Sequence, residues 1–299
     1  MFTGMIVALI TPFTKSGEID FEALREHVSW MVEEKVDGIA VCGTTGEAPT
    51  MSEQEQIDVL NETLSIAKGR APVIMGTGFN DTRKTFEMTV KAKEAGADGC
   101  LLIVPYYNRP TQEGCIEHFK EVAKAGLPMI VYTHPVRTGI TLHVKTLAQI
   151  AEIPNVAAIK EGNADVELTM ELARITSKPI LSGVDGMTIP LMAGGGRGVI
   201  SVLGNIIPSQ WTQFVAHISA EEYQAARAIF DRYFHLCNAM FLETNPQCIK
   251  YALSLMGKCS PHLRLPMMEP REETKKQIRE AMSRVNLILS DPVLKMIHV

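Results

Sequence analysis

From Gly4 to Val202 the chain alternates short, almost continuously apolar runs with longer amphipathic stretches, and it does so eight times. The runs are Met5–Thr11, Gly38–Cys42, Val73–Gly76, Gly99–Val104, Met129–Tyr132, Val156–Lys160, Ile180–Ser182 and Gly198–Val202. A run that is apolar on both sides of the pleat is a strand buried on both faces, as in a parallel sheet whose crossovers are helices. Eight such units predict an α/β protein built as a closed (β/α)8, or TIM, barrel, a fold that occupies about 250 residues.

The intervening stretches read as helices. Ser52 and Glu55 form a capping box ahead of Ile57, Leu60 and Leu64. Asp20 and Asn80 are further N-cap candidates, and glycines close helices at Lys68-Gly69, Ala95-Gly96 and Ala125-Gly126. After Val202 the strand rhythm stops. Pro208–Ser219, Ala220–Asn238, Pro246–Met256 and Arg271–Leu289 show helical spacing with charged faces. The expected organisation is a barrel over 1–206 that carries the catalytic site and a C-terminal helical appendix over 207–299. No Ser/Gly-rich linker separates them, so the appendix is expected to pack on the barrel.

Composition removes several classes of function. Hydrophobic residues at 46% and charged residues at 21% describe an ordinary globular chain rather than a disordered or fibrous one. A net charge of -5 provides no cationic field for nucleic acid or an anionic membrane. Met5–Ile10 is far shorter than the roughly 20 residues of a spanning helix, and no basic segment precedes it, so a cytoplasmic protein is expected. The six cysteines lack any C-x-x-C pair and the eight histidines any H-x-x-x-H grouping, which points to reduced thiols and no metal.

In such a barrel the active site lies at the C-terminal strand ends, which gives weight to polar residues that end apolar runs. Lys160, Tyr132 and the Gly43-Thr44-Thr45-Gly46-Glu47 segment all do so. A partly dehydrated lysine has a lowered pKa and a free amine able to attack a carbonyl; the bland alternative is that Lys160 begins a solvated loop. Tyr132 could move a proton beside that amine, or serve only as core. Thr44 and Thr45 lie between glycines at a strand-to-helix turn, a setting suited to a carboxylate, although that signal is weak alone. Arg137 offers a two-pronged carboxylate contact, and Tyr106 and Tyr107 occupy a proline-bracketed loop that faces a site or a neighbouring subunit. Gly194-Gly195-Gly196-Arg197-Gly198 precedes a strand and lacks a Gly-Lys-Ser/Thr ending, so close packing is expected there rather than phosphate binding.

Together these segments resemble the dihydrodipicolinate synthase (4-hydroxy-tetrahydrodipicolinate synthase) members of the pyruvate-dependent class I aldolase superfamily, to which N-acetylneuraminate lyase also belongs. The resemblance rests on Gly43-Thr44-Thr45-Gly46-Glu47, Pro105-Tyr106-Tyr107-Asn108-Arg109-Pro110, Tyr132 with Arg137-Thr138-Gly139, Ile159-Lys160-Glu161 and Gly198-Val199-Ile200-Ser201-Val202, and it extends over nearly the whole chain. It implies a lyase in which pyruvate forms a Schiff base with Lys160, becomes an enamine and adds to L-aspartate 4-semialdehyde, the committed step toward lysine and diaminopimelate. By the same resemblance Tyr132, Thr44 and Tyr107 form a proton relay, with Tyr107 crossing from a neighbouring subunit of a dimer or tetramer. Thr45, Gly183, Ile200 and Arg137 contact substrates, and no cofactor is needed beyond the imine.

Thr133-His134 replaces the usual Asn and aliphatic residue after Tyr132, and Val184 replaces a usual acid after Ser182-Gly183; both changes bear on the second substrate. Of the residues that bind lysine as inhibitor in sensitive relatives, Asn80 and Tyr106 match. Lys84 stands where an acid is usual, and Glu53 and Gln56 where histidines are usual, which predicts weak or absent inhibition by lysine. The rival readings are a related aldolase or dehydratase acting on a 2-keto-3-deoxy sugar acid or N-acetylneuraminate, and a non-catalytic binding protein on the same scaffold.

Overall fold

A computed structural model describes residues 2–288; Met1 and residues 289–299, including the Leu289 end of the last expected helix, lie outside the described residues. β1 (Gly4–Ala8) leads to α1 (Phe21–Glu33), β2 (Gly38–Val41) to α2 (Glu53–Ala67), β3 (Val73–Gly76) to α3 (Thr82–Ala95), and β4 (Gly99–Ile103) to α4 (Gln112–Ala123). β5 (Met129–Thr133) is followed by α5 (Pro135–Thr138) and α6 (Val144–Ala151), β6 (Val156–Glu161) by α7 (Val166–Ile175), and β7 (Ile180–Ser182) by α8 (Thr188–Ala193). β8 (Gly198–Ser201) precedes α9 (Pro208–Ser219), α10 (Tyr223–Ala239), α11 (Gln247–Leu255) and α12 (Glu272–Arg284). The eight strands close in chain order, each parallel to its neighbours, with Ile6 paired to Ile200 where β8 meets β1.

Closure makes the pleat decisive, because alternate side chains must enter the barrel or face the helices. Ile6, Ile74, Leu101, Ile130, Ala158, Leu181 and Ile200 fill the interior, while Met5, Val7, Val41, Met75, Val131 and Ile159 pack outward beneath the helices. Gly198 permits the last closure: its φ is +150°, and a Cβ there would lie 2.2 Å from the Gly4 carbonyl oxygen. Close packing also explains the glycines before β8: a Cβ on Gly195 would lie 2.6 Å from Ala173 Cβ, and one on Gly196 2.8 Å from the Leu191 carbonyl oxygen.

Several element ends differ from the sequence reading for identifiable reasons. The paired part of β1 ends at Ala8, short of Thr11: Leu9, Ile10 and Thr11 stay buried, but beyond the Leu9 N–H bond to the Ala40 carbonyl the backbone leaves the ladder. Ile10 N–H donates to Asn205 Oδ1 and Thr11 Oγ1 to the Gly46 carbonyl. The N-cap of α3 is Asp81 rather than Asn80. Asp81 Oδ1 accepts from Lys84 N–H, whereas the Asn80 carbonyl accepts from Asn108 Nδ2. The Ser52–Glu55 capping box and the Asp20 cap are present. All six cysteines are unpaired, and five are buried. Among the described residues no helix is long and apolar enough to cross a membrane.

Buried polar contacts join the helices after β8 to the barrel. Trp211 Nε1 of α9 donates to the Asp185 carboxylate, which also accepts from Ser201 Oγ and the Val202 and Leu203 N–H groups. Lys250 Nζ of α11 lies 2.5 Å from Glu47 Oε1, with both side chains sealed from solvent. Burial pushes the Lys250 ammonium pKa down, and the Glu47 carboxylate opposes that shift. Removing one member of a buried pair leaves the other charge uncompensated. Lys250→Met is therefore expected to cost about 3–5 kcal/mol of unfolding free energy. The double variant Glu47→Gln/Lys250→Met should regain most of that loss. Urea unfolding measures both, and a single variant as stable as the double would refute the role of the pair.

Candidate active site

Register sets the centre of the site. Tyr132 on β5 is paired directly with Lys160 on β6, so both inward-facing side chains rise at the same level of the barrel mouth. Lys160 Nζ stands 4.1 Å from the centroid of the Tyr132 ring. Lys160 is only 7% exposed, and burial lowers its pKa to about 8, with Arg137 acting in the same direction and Asp185 opposing. Tyr132 has its pKa raised by burial, so its phenol keeps its proton at neutral pH. Gly183 makes room for this lysine: a Cβ there would sit 2.8 Å from the Glu161 carbonyl and 3.0 Å from Lys160 Cε. Glu161, the next residue, faces outward and accepts from the Asn163 and Asp165 N–H groups, which shapes the loop after β6.

The Gly43–Glu47 loop forms the opposite wall. Cys42 and Glu47 flank it with φ values of 54° and 55°, a left-handed backbone that non-glycine residues hold only when their surroundings enforce it. Here the enforcement comes from α11 and the chain beyond it: Lys250 pairs with Glu47, and Arg264 N–H donates to Glu47 Oε2. Thr45 is 3% exposed, and its Oγ1 lies 2.9 Å from Asn245 Nδ2.

These residues enclose a cavity of about 740 Å³, lined in part by Thr44, Thr45, Tyr132, Arg137, Lys160 and Gly183. Tyr106 also lines it. Ile200 lies within the interior cluster of the barrel and does not line the cavity. Tyr107, at φ 71° and 88% exposed, does not line the cavity of its own chain. His134 lines the cavity with its ring 5.8 Å from that of Tyr132. Its pKa is pushed down to about 4 by burial and by the charges of Arg137 and Lys160, so the imidazole is neutral at neutral pH. Lys84 Nζ lies 4.4 Å from the ring centroid of Phe79, which lines the cavity, and 3.7 Å from Glu53 Oε1.

The sequence reading missed the wall contributed by Phe241, Glu243, Thr244 and Asn245, residues from the chain between α10 and α11. They end no apolar run and match no short motif; only the folding of the C-terminal helices over the barrel mouth brings them there. Among the described residues no cluster of His, Cys, Asp and Glu could hold a metal ion.

Fold and cavity together define a (β/α)8 barrel protein with a desolvated lysine at its C-terminal mouth. The chain belongs to the Dihydrodipicolinate synthetase family, whose profile it matches over residues 1–285. It is 42% identical over 291 residues to the 4-hydroxy-tetrahydrodipicolinate synthase of Syntrophus aciditrophicus, a match covering 96% of this chain and 100% of that one. Similar solved structures include dihydrodipicolinate synthase from Aquifex aeolicus (40% identity, TM-score 0.94, covering 97% and 100% of the two chains). Another is the chloride-inhibited enzyme from Acinetobacter baumannii complexed with pyruvate (38% identity, TM-score 0.94, covering 96% and 100%).

The lowered basicity of Lys160 has a measurable sign. Below pH of about 8 the group is mainly ammonium and inert, and above it mainly free amine. Its rate of modification by a small amine-reactive reagent, followed by peptide mapping, is expected to rise through pH of about 8 and then level off. An exposed lysine would keep gaining reactivity to pH of about 10.4, and that behaviour at Lys160 would refute the assignment.

Proposed function

We propose that this protein condenses pyruvate with L-aspartate 4-semialdehyde to give 4-hydroxy-tetrahydrodipicolinate, through an imine on Lys160. The observation that carries the reading is the Lys160 amine, desolvated and set 4.1 Å from the Tyr132 ring, in a family with a relative complexed with pyruvate. Free Lys160 Nζ attacks the keto carbon, and water leaves with a proton supplied by Tyr132. The resulting iminium withdraws electrons, so a methyl proton is lost and an enamine forms without any other cofactor. The enamine carbon bonds to the aldehyde carbon of the second substrate as its C=O π bond opens, and the resulting alkoxide takes up the proton that the methyl group released. That substrate's amine then adds to the imine carbon, and ring closure expels the Lys160 amine; one water is lost overall.

Other residues have proposed parts. Thr45 is suited to hold the pyruvate carboxylate and Arg137 the carboxylate of the semialdehyde. Thr44 would pass protons between Tyr132 and Tyr107 of the partner subunit. The outward, positive-φ Tyr107 supports that exchange, since an aromatic ring so exposed gains contact by entering a second copy. The protein is accordingly proposed to work as a homo-oligomer. Its unpaired cysteines support a reducing, cytoplasmic setting.

The deciding experiment pairs turnover, coupled to the following reductase, with borohydride trapping of pyruvate on the protein. Lys160→Ala is expected to trap no pyruvate and to lose at least about three orders of magnitude in rate. Arg137→Ala should trap pyruvate normally while the KM for the semialdehyde rises about tenfold or more. Wild-type protein that traps pyruvate yet gives no product would transfer the reading to a sugar-acid lyase, with Thr133-His134 as the altered pocket.

Lysine is expected to be a poor inhibitor. The acid that would meet its ammonium is replaced by Lys84, and nearby Glu53 is already engaged by Lys84 and, at 2.8 Å, by Lys91. Half-maximal inhibition at submillimolar lysine would overturn this expectation.

A further inference from the structure

Asn245 lies between α10 and α11, and Thr45 lies 200 positions before it in the chain. Its Nδ2 reaches Thr45 Oγ1 at 2.9 Å, while its Oδ1 is buried and has no hydrogen-bond partner. The reversed amide would accept the threonine proton at Oδ1 and leave a buried N–H group orphaned, which is the rarer and costlier arrangement. Thr45 Oγ1 is therefore an acceptor toward Asn245. A hydroxyl has a single proton, and with one lone pair engaged by Asn245 that proton is left to donate elsewhere. Both residues line the cavity that holds Lys160.

We infer that Asn245 is a positioning residue for the reaction: by donating to Thr45 Oγ1 it turns the threonine proton toward the carboxylate of the keto acid bound at Lys160. This rests on the reading of the cavity as a keto-acid site. The Lys250–Glu47 pair and the Arg264 N–H contact to Glu47 anchor the same loop independently. Replacing Asn245 therefore changes the orientation of a hydroxyl rather than the course of the loop.

The test uses the full chain and borohydride trapping at varied concentrations of pyruvate and, separately, of acetone, a carbonyl compound without a carboxylate. Asn245→Asp accepts the threonine proton instead of donating, and the half-saturating pyruvate concentration is expected to rise about tenfold to a hundredfold, with acetone unchanged. Asn245→Ala adds no charge and should weaken pyruvate trapping in the wild-type background. In a Thr45→Val background it should have no further effect. Pyruvate trapping unchanged in Asn245→Asp, equal weakening of pyruvate and acetone, or full additivity with Thr45→Val would each overturn the inference. Wild-type protein that traps neither carbonyl overturns the keto-acid reading, and the inference with it.

Discussion

An ammonium ion gives up much of its hydration when it is drawn below the rim of a closed barrel, and the rest of the site is arranged around that loss. Position 160 faces inward because Ala158, two residues earlier, does so, and closure leaves no other side for it. Asp185 is the carboxylate that counters the charge, yet it already accepts from Ser201, Val202, Leu203 and Trp211. The face of Tyr132 supplies a weaker compensation. The balance favours the neutral amine far more than water would, and a neutral amine is the form that attacks a carbonyl. The same burial holds the neighbouring phenol protonated, so an amine of lowered basicity and a protonated phenol stand side by side from one physical cause.

The C-terminal helices do more than cover apolar surface. Lys250 and Asn245, on or just before α11, both reach the loop that carries Thr44 and Thr45. Glu47 holds a left-handed backbone at the end of that loop, and a buried ion pair is an effective means of keeping it there, because departure would strand two charges away from water. Barrel and appendix thus share a single site wall.

Much of this was legible in the chain. The eightfold rhythm predicts the barrel, and Lys160, Tyr132 and Thr45 stand out because each ends or follows an apolar run. The errors were local. At β1 the apolar run outlasts the strand, since burial continues after pairing ends. At α3 two adjacent residues can both cap, and the backbone chose Asp81. Asn245 was invisible: a lone asparagine before a proline, in a segment with no strand, carries no signal of what it will touch.

Periodicity and residue type determined the architecture by themselves, because continuous apolar runs and hydrophobic spacing of about 3.6 are local properties that short stretches of chain express independently. The tertiary structure alone decided which side chains meet. The Tyr132–Lys160 register, the Glu47–Lys250 pair and the Asn245–Thr45 contact depend on barrel closure and on helices returning over its mouth. The shifted acidity of Lys160 and Tyr132 was likewise decided there, because desolvation is set by everything packed around a group and not by its neighbours in the chain.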